Sequence, residues 1–322
     1  MKTSTPRRMV VLSLMALATA GAQAAFPAKP MKLIVGATAG GTTDTLAREI
    51  AEDMGKTLGH PVIVENKPGA GGNIAAMEVA RAPADGHTLL VAFTSHTMNA
   101  SLFKKLPYDP IRDFTPIALL AKVSSVLVTR ANAPYKSVQD VVAKGKADKS
   151  GVTFAIGGTG SSLHMDTYEF EAASGVPVVQ IPFKGTSPAI ADVLAGHVDF
   201  MFAPVNGARP QIESGKLRAL AVAAPKPMAA FPGVPPITDA VPSYTTNYGW
   251  FGVLGPARLP VDITQTLNAA INKAMQQPKV KARLDADGAA SESLSVGQFA
   301  SFLAGDVKHW FTQTKTFGIK PE

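Results

Sequence analysis

The sequence has no cysteine and, beyond its N-terminal segment, no long apolar run. Without cysteine the chain cannot form disulfides or carry a lipid on a cysteine anchor. No stretch after the first 24 residues approaches the ~20 apolar residues that a membrane-spanning helix needs. Stability must therefore come from a hydrophobic core, and roughly 300 residues suffice for a core divided between two lobes.

The N-terminal segment, residues 1–24, has the pattern of a signal peptide. Three basic residues precede an apolar core over residues 9–20, which is too short to span a bilayer, and small residues follow at Ala22 and Ala24. The sequence therefore predicts an exported periplasmic protein that is cleaved near Ala24.

Strong charge is also missing. The formal net charge of +7 includes three basic residues of the leader, which leaves about +4 for the mature chain. Lysine and arginine are scattered, without the clustered basic stripe that nucleic-acid binders carry. We therefore expect no nucleic-acid partner, whereas a mild positive excess suits the capture of a small anion.

The glycine-rich segments lack the residues that nucleotide-binding loops need. No lysine follows their glycines in the register of a P-loop. The dinucleotide fingerprint also fails, because Ile74 stands where the segment from Gly69 needs its third glycine and the segment from Gly158 lacks that glycine as well. The sequence predicts no nucleotide cofactor.

Support for catalysis is weak. Ser161, Ser162, His164 and Asp166 are close in sequence, but Gly-x-Ser-x-Gly is absent, and neighbours at a helix start cannot easily form a nucleophile relay. The six histidines show no metal-ligand spacing. We predict no enzyme, cofactor or metal, and an exported hydrolase using Ser161 or Ser162 with His164 remains the alternative.

What the sequence does contain is a repeated strand, glycine loop and helix. "KLIV" and "PVIV" are predicted strands, "HTLLVAFTSHTMN" supplies a third that ends in Thr, Ser and Asn, and "SSVLVTR", "GVTFAI", "KLRALAV" and "WFGVLGP" continue the pattern. In "TSPAIADVLAG", Ser187 is a predicted cap and Gly196 a predicted stop. The alternation predicts an α/β fold of two lobes, each with a mainly parallel sheet flanked by helices.

The glycine loops suit the binding of an anion. The first N–H groups of a helix are unsatisfied and carry the positive end of its dipole, glycine allows close approach, and Thr or Ser adds hydroxyl donors. We predict that Gly40 to Thr43 and Gly158 to Ser162 form two halves of a carboxylate clamp. Taken singly, each loop could equally be an ordinary tight turn.

Five long segments resemble the tripartite tricarboxylate transporter receptors, also called the Bug family. They are "KLIVGATAGGTTDTLAREIAEDM", "LGHPVIVENKPGAGGNIAAMEVARAPADGHTLL", "LPYDPIRDFTPIALLA", "IPFKGTSPAIADVLAGHVDFMF" and "IESGKLRALAV". The resemblance covers essentially the whole mature chain. The resemblance implies a type II periplasmic binding protein that closes about a hinge, binds a small organic acid (a di- or tricarboxylate, an aromatic acid or similar) and passes it to membrane permease subunits. We expect a monomer.

The resemblance also implies the binding residues. The first loop is Ala39, Gly40, Gly41 and Thr42, with Asp44 bracing the helix start. The second loop is Gly157, Gly158, Thr159, Gly160, Ser161 and Ser162, with His164 just beyond. Selectivity is expected from Gly72, Asn73, Thr94, Ser95, Lys184, Gly185 and Asn206. Lys184 could equally be a surface charge. Many relatives carry an acidic or amide residue where this chain has Ala203-Pro204, which favours a ligand without a charged amine.

The expected domain division follows from the same resemblance. Residues 25–122 and 240–322 form the first domain, residues 123–239 form the second, and the hinge crossings lie near Leu120–Ser125 and within Pro225–Pro242. A soluble receptor of another importer or of a sensor system would bind in the same way and remains a second alternative.

Overall fold

A computed structural model describes residues 26–148, 150–157, 161–183 and 185–321, so the predicted signal peptide lies outside the described residues. The strands are β1 (Met31–Val35), β2 (Val62–Asn66), β3 (Thr88–Phe93), β4 (Phe114–Val123), β5 (Ser125–Arg130), β6 (Val152–Ile156), β7 (Val178–Pro182), β8 (Phe200–Pro204), β9 (Leu217–Ala223), β10 (Gly249–Pro256) and β11 (Ala289–Ala290). The helices are α1 (Thr42–Leu58), α2 (Asn73–Ala80), α3 (Ser95–Leu102), α4 (Val138–Ala147), α5 (Ser162–Ser174), α6 (Thr186–Ala195), α7 (Val205–Glu213), α8 (Val261–Met275), α9 (Pro278–Ala286) and α10 (Val296–Thr316).

The strands form two separate sheets. The first has the order β11-β4-β10-β3-β1-β2 and the second the order β7-β6-β8-β5-β9. The chain therefore crosses between them twice, once at Ser124 between β4 and β5 and once between β9 and β10. We call the two sheets with their helices the first and the second lobe. The predicted two-lobe α/β fold is confirmed, whereas the domain boundaries proposed above stay a prediction.

Each sheet is mixed rather than mainly parallel. In the first lobe β1 is parallel to β2 and β3, but β10 is antiparallel to β3 and β4. In the second lobe β6 is parallel to β7 and β8, but β5 is antiparallel to β8 and β9. Strands β5 and β10 each enter a sheet directly from the other lobe. They arrive without the helical crossover that makes neighbouring strands parallel.

Two predicted element ends are wrong. The third strand ends at Phe93. Thr94 is already the N-cap residue of α3, and Ser95 is the first residue of that helix. Helix α6 begins at Thr186 after Gly185, so Ser187 lies inside the first turn and does not cap it. A proline is tolerated throughout a first turn because its missing N–H is not needed there, so Pro188 did not fix the start. The predicted stop at Gly196 is confirmed, with φ 79°.

Helices cover both faces of the first sheet. On one face Leu46 and Ile50 of α1 pack with Leu267 and Ile271 of α8, and each of these four side chains is buried. Burying such a side chain stabilises the fold by about 1.5–3 kcal/mol. With both faces covered, the carboxyl ends of the parallel strands are where backbone and polar side chains remain available to a ligand.

No helix in the described part of the chain combines the length and apolarity that crossing a bilayer requires.

Candidate functional site

Two cavities lie between the lobes and meet at the start of β10. The larger has a volume of about 660 Å³ and the smaller about 110 Å³. Ser162 of the second lobe and Gly249 of the first line both of them. A Cβ atom added at Gly249 would lie only 2.6 Å from Val123 Cγ2 and 3.2 Å from Ser162 Oγ, so glycine is needed for this close approach of the lobes.

The first predicted loop is braced from inside its own lobe. Asp44, which is 3% exposed, accepts hydrogen bonds from the Gly40 N–H at 2.8 Å and from Asn66 Nδ2 at 2.9 Å. Arg48 completes the set, with its Nε 3.1 Å from Asp44 Oδ2. Burial alone would raise the pKa of Asp44, but these donors outweigh it and hold the pKa below its usual value. A resident carboxylate therefore already occupies the positive end of helix α1.

Thr42 is the residue of this loop that reaches the other lobe. Its hydroxyl oxygen accepts a hydrogen bond from Asn206 Nδ2 of helix α7, and both residues line the small cavity. Ala39, Gly40 and Gly41 are exposed and line neither cavity. The first loop thus meets the second lobe through one side chain.

The second predicted loop is described only in part, since Gly158, Thr159 and Gly160 lie outside the described residues, as does Lys184. Ser161 caps helix α5, accepting from the His164 N–H at 3.3 Å, and the first turn of α5 contains no acidic residue. Ser161, Ser162 and His164 all line the large cavity. In contrast to α1, helix α5 directs an uncharged cap at the space between the lobes.

The surroundings of His164 disfavour its charged form. Its Nε2 is 2.6 Å from Gln180 Oε1, and its ring packs on Tyr168 at 4.8 Å between centroids. Burial lowers the pKa of His164, against the opposing effect of Gln180. The Nε2 atom of the imidazole thus has the Gln180 amide as a partner, which does not favour a Ser-His-acid relay through that nitrogen. No group of three or more His, Asp or Glu residues within the described ranges is arranged to hold a metal ion.

Asp166 lies behind the start of α5 and joins both crossings between the lobes. Its carboxylate accepts from Ser125 Oγ at 2.6 Å, next to the first crossing, and from the Tyr244 hydroxyl at 3.0 Å, on the second. Asp166 is 1% exposed, and burial raises its pKa to about 7 against the lowering effects of Ser125, Tyr244 and Asn247, while the nearby Glu169 raises it further.

Thr94 and Ser95, both predicted site residues, line the large cavity from the start of α3. Thr94 Oγ1 accepts from the Trp250 N–H at 2.8 Å, which leaves its own O–H to donate. Ser95 Oγ donates to the Gly71 carbonyl at 2.7 Å.

Gly72 and Asn73 are placed differently. Gly71 rather than Gly72 lines the large cavity, and Asn73 is buried, where its Oδ1 accepts from Asn99 and Tyr108 at 2.7 Å each. Asn73 therefore supports the loop from beneath.

The remaining predicted residues support the second lobe. A Cβ at Gly157 would lie 3.0 Å from Thr186 Cα, so glycine allows the end of β6 to pack against the start of α6. Gly185 precedes α6 with φ 138°. Of the predicted residues that are described, the structure brings seven to the two cavities: Thr42, Thr94, Ser95, Ser161, Ser162, His164 and Asn206. It places eight others away from them: Ala39, Gly40, Gly41, Asp44, Gly72, Asn73, Gly157 and Gly185.

Several cavity residues carried no recognised signal in the sequence. Phe251 belongs to the predicted strand "WFGVLGP" and Gly249 directly precedes it, but the approach of Gly249 to Ser162 depends on how the lobes pack. Met165 follows the helical pattern of α5, and Lys320 lies beyond α10. A glycine at the first position of a strand that follows a crossing was the one available hint for Gly249.

Comparison with known proteins places these features in context. The model of the tripartite tricarboxylate transporter family receptor matches residues 46–319. Protein BugT of Bordetella pertussis is 33% identical over 312 residues, covering 94% of this chain and 95% of that protein. The structure of Rpa4515 of R. palustris with adipate has a TM-score of 0.83 at 30% identity, covering 92% of this chain and 100% of that one. MatC of Rhodopseudomonas palustris with bound malate has a TM-score of 0.77 at 34% identity, covering 89% and 99%.

Proposed function

Because the chain belongs to the tripartite tricarboxylate transporter receptor family, we propose that it captures a small organic carboxylate between its lobes and delivers it to a membrane permease of that class. The observation that carries this proposal is the position of Ser162. Its side chain lies at the start of α5, at the junction of the two cavities and opposite Gly249 of the other lobe. A ligand at this junction contacts both lobes.

The chemistry of the junction suits a carboxylate. The N–H groups at the start of α5 carry the positive end of the helix dipole, and no acidic residue of its first turn competes for them. Ser162 and Thr94 add hydroxyl donors from the two lobes. Adipate and malate, bound by the two relatives of known structure, are carboxylates.

Closure about the two crossings is the mechanism that we propose. A ligand that contacts both lobes stabilises the closed arrangement by its additional contacts there. The hydrogen bond between Asn206 and Thr42 is a direct contact between lobes of the kind that closure would form. We place the hinge near Leu120–Ser125 and within Pro225–Pro242, with residues 25–122 and 240–322 in one domain and 123–239 in the other. The mature protein is then a periplasmic monomer that binds its ligand without converting it.

Titration calorimetry of the mature protein against a panel of carboxylates tests the proposal. Gly249→Ala should weaken binding of whichever panel member binds best by at least tenfold, because the added methyl group enters the junction beside Val123 and Ser162. Gly305→Ala is the matched control, since a Cβ there meets nothing within 4 Å and lies on α10. Absence of binding by the wild type would overturn the function, and unchanged binding by Gly249→Ala would overturn the location.

A further inference from the structure

The two cavities differ in what lines them. The small cavity is lined by Thr42, Ser125 and Asn206, by the carboxyl groups of Asp166 and Asp287, and by apolar side chains such as Leu163 and Val205. The large cavity has hydroxyls near the helix starts together with Asn99, His164 and Lys320, and apolar side chains form most of its surface. The two cavities join at Ser162, and the large one provides room for an apolar group.

The apolar wall comes from both lobes. Phe93 and Phe251 extend from neighbouring strands of the first sheet, and Phe103 follows α3 in the same lobe. Each of these three side chains is only half-buried, so part of each ring remains uncovered by protein. Met165 of α5 faces them from the second lobe and is itself fully buried. An apolar ligand that covers the exposed parts of the three rings removes them from water, which stabilises the complex.

The volume of the large cavity exceeds what a compact acid needs. At about 660 Å³ it falls within the ~300–1,000 Å³ range of pockets that enclose a drug-sized molecule. A four-carbon dicarboxylate would leave most of the apolar wall in contact with water, so its binding would not use that surface.

The charge of the lining also argues against a polyanion. Of the described residues that line the large cavity, Lys320 carries the only formal charge, and its side chain is exposed at the C-terminal edge. Burial lowers the pKa of His164, which disfavours a charged imidazole in this lining. Each carboxylate that enters an apolar cavity without a charged partner loses its hydration at a cost in free energy. One carboxylate is balanced at the helix start, whereas a second would find, among the described residues of the lining, only the exposed Lys320 at its edge.

We infer that the preferred ligand is a monocarboxylate with a bulky apolar body, such as an aromatic ring, whose acid group binds at Ser162 and whose body packs against Phe93, Phe103 and Phe251. This inference rests on the proposed function and assigns the large cavity as its specificity-determining part. Phe103 is the most informative residue, because it lies outside both sheets and its removal leaves the strands of the junction unchanged.

Calorimetry with 3-phenylpropionate, malate and citrate tests the inference. The wild type should bind 3-phenylpropionate at least tenfold more tightly than malate or citrate. Phe103→Ala should lower the affinity for 3-phenylpropionate by at least tenfold and change the affinity for malate by less than twofold. Phe311→Ala is the matched control, because this phenylalanine is 51% exposed on α10 and does not line the cavity.

The outcomes separate the two proposals. Tighter binding of malate or citrate than of 3-phenylpropionate would overturn the apolar preference and leave the receptor function standing. Absence of binding by any carboxylate would overturn both. Equal affinity of Phe103→Ala and the wild type for 3-phenylpropionate would show that the apolar wall does not determine specificity. If Phe103→Ala fails to fold, the order of the three wild-type affinities still decides the inference, and Leu102→Ala provides a second change in the same wall.

Discussion

Helices α1 and α5 follow the two predicted loops, and each carries a buried aspartate within its first two turns. Asp44 of α1 accepts hydrogen bonds from the charged guanidinium of Arg48, from the Asn66 amide and from the backbone N–H of Gly40. The hydrogen-bond partners of Asp166 of α5 within the described residues are uncharged, among them the hydroxyls of Ser125 and Tyr244, and the charged group nearby is another acid, Glu169. The same residue type in corresponding helices is therefore held in two different environments.

The difference bears on which helix start is better suited to the proposed binding of an anion. Burial tends to raise the pKa of both aspartates, but the donors around Asp44 overcome it, whereas those around Asp166 do not, and its pKa reaches about 7. Helix α1 thus has a permanent negative charge of its own at its start. Helix α5 has an uncharged cap there, with Asp166 one turn further on. The clamp that the sequence presents as two equal halves is asymmetric.

The largest expected effect concerns the pH dependence of stability. The native Asp166 carboxyl, with a pKa of about 7, keeps a proton that the unfolded chain releases near 3.8. The free energy of unfolding should therefore fall as pH rises through this window and level off above pH 7. Between pH 5 and pH 8 the loss amounts to about 3 kcal/mol, since each pH unit is worth about 1.4 kcal/mol. Urea unfolding of the wild type and of Asp166→Asn at pH 5 and pH 8 measures this loss. The free energy of unfolding of the variant should fall much less between the two pH values.

Asp44 provides the control for this experiment. Its lowered pKa keeps it ionised in the native and unfolded states throughout pH 5 to pH 8, so Asp44→Asn should retain the slope of the wild type. The groups that face Asp166 are Ser125, Tyr244, Asn247 and Glu169. A wild-type stability that is flat or rising over this range would contradict the raised pKa.

The next effect concerns the brace of the first loop. Asp44→Ala removes the acceptor of the Gly40 N–H and of Asn66 and should lower the free energy of unfolding by about 2 kcal/mol. Urea unfolding at pH 7 provides the measurement. Glu52→Ala is the matched control, because Glu52 lies on the same helix with ion pairs to Lys56 and Lys279 but is 55% exposed. The two variants should differ clearly, since exposed ion pairs contribute little to stability.

The sequence predicted most strands and helices because their periodicity is local. Leu46 and Ile50, or Leu267 and Ile271, repeat at helical spacing, and the structure buries each pair. The strand directions were not predictable in the same way. Whether β5 and β10 run parallel to their neighbours depends on where the chain crosses between lobes, which periodicity does not encode.

The candidate site was predictable in part for the same reason. Ser161 and Ser162 could be placed at a helix start from sequence because a cap and a first helical residue follow local rules, and both line the large cavity. Gly249 was missed because its role depends on contact with residues that are distant in sequence. Asn73 was assigned to ligand selectivity, but its amide is buried and bonded to Asn99 and Tyr108. Sequence patterns identify which residues lie near the junction of a strand and a helix, whereas packing decides which of them line the space between the lobes.

The smallest expected effect tests the asymmetry of the two helix starts directly. Ser161→Asp gives α5 a resident carboxylate like that of α1, and aspartate caps a helix about as well as serine. Stability should change by less than about 1 kcal/mol, whereas the affinity for 3-phenylpropionate should fall at least tenfold, because the new charge occupies the helix start and repels the ligand. Ser295→Asp makes the same change at the cap of α10 and should leave the affinity unaltered. If Ser161→Asp binds the probe as the wild type does, the acid group binds elsewhere, and the uncharged cap of α5 is a structural feature of the second lobe alone.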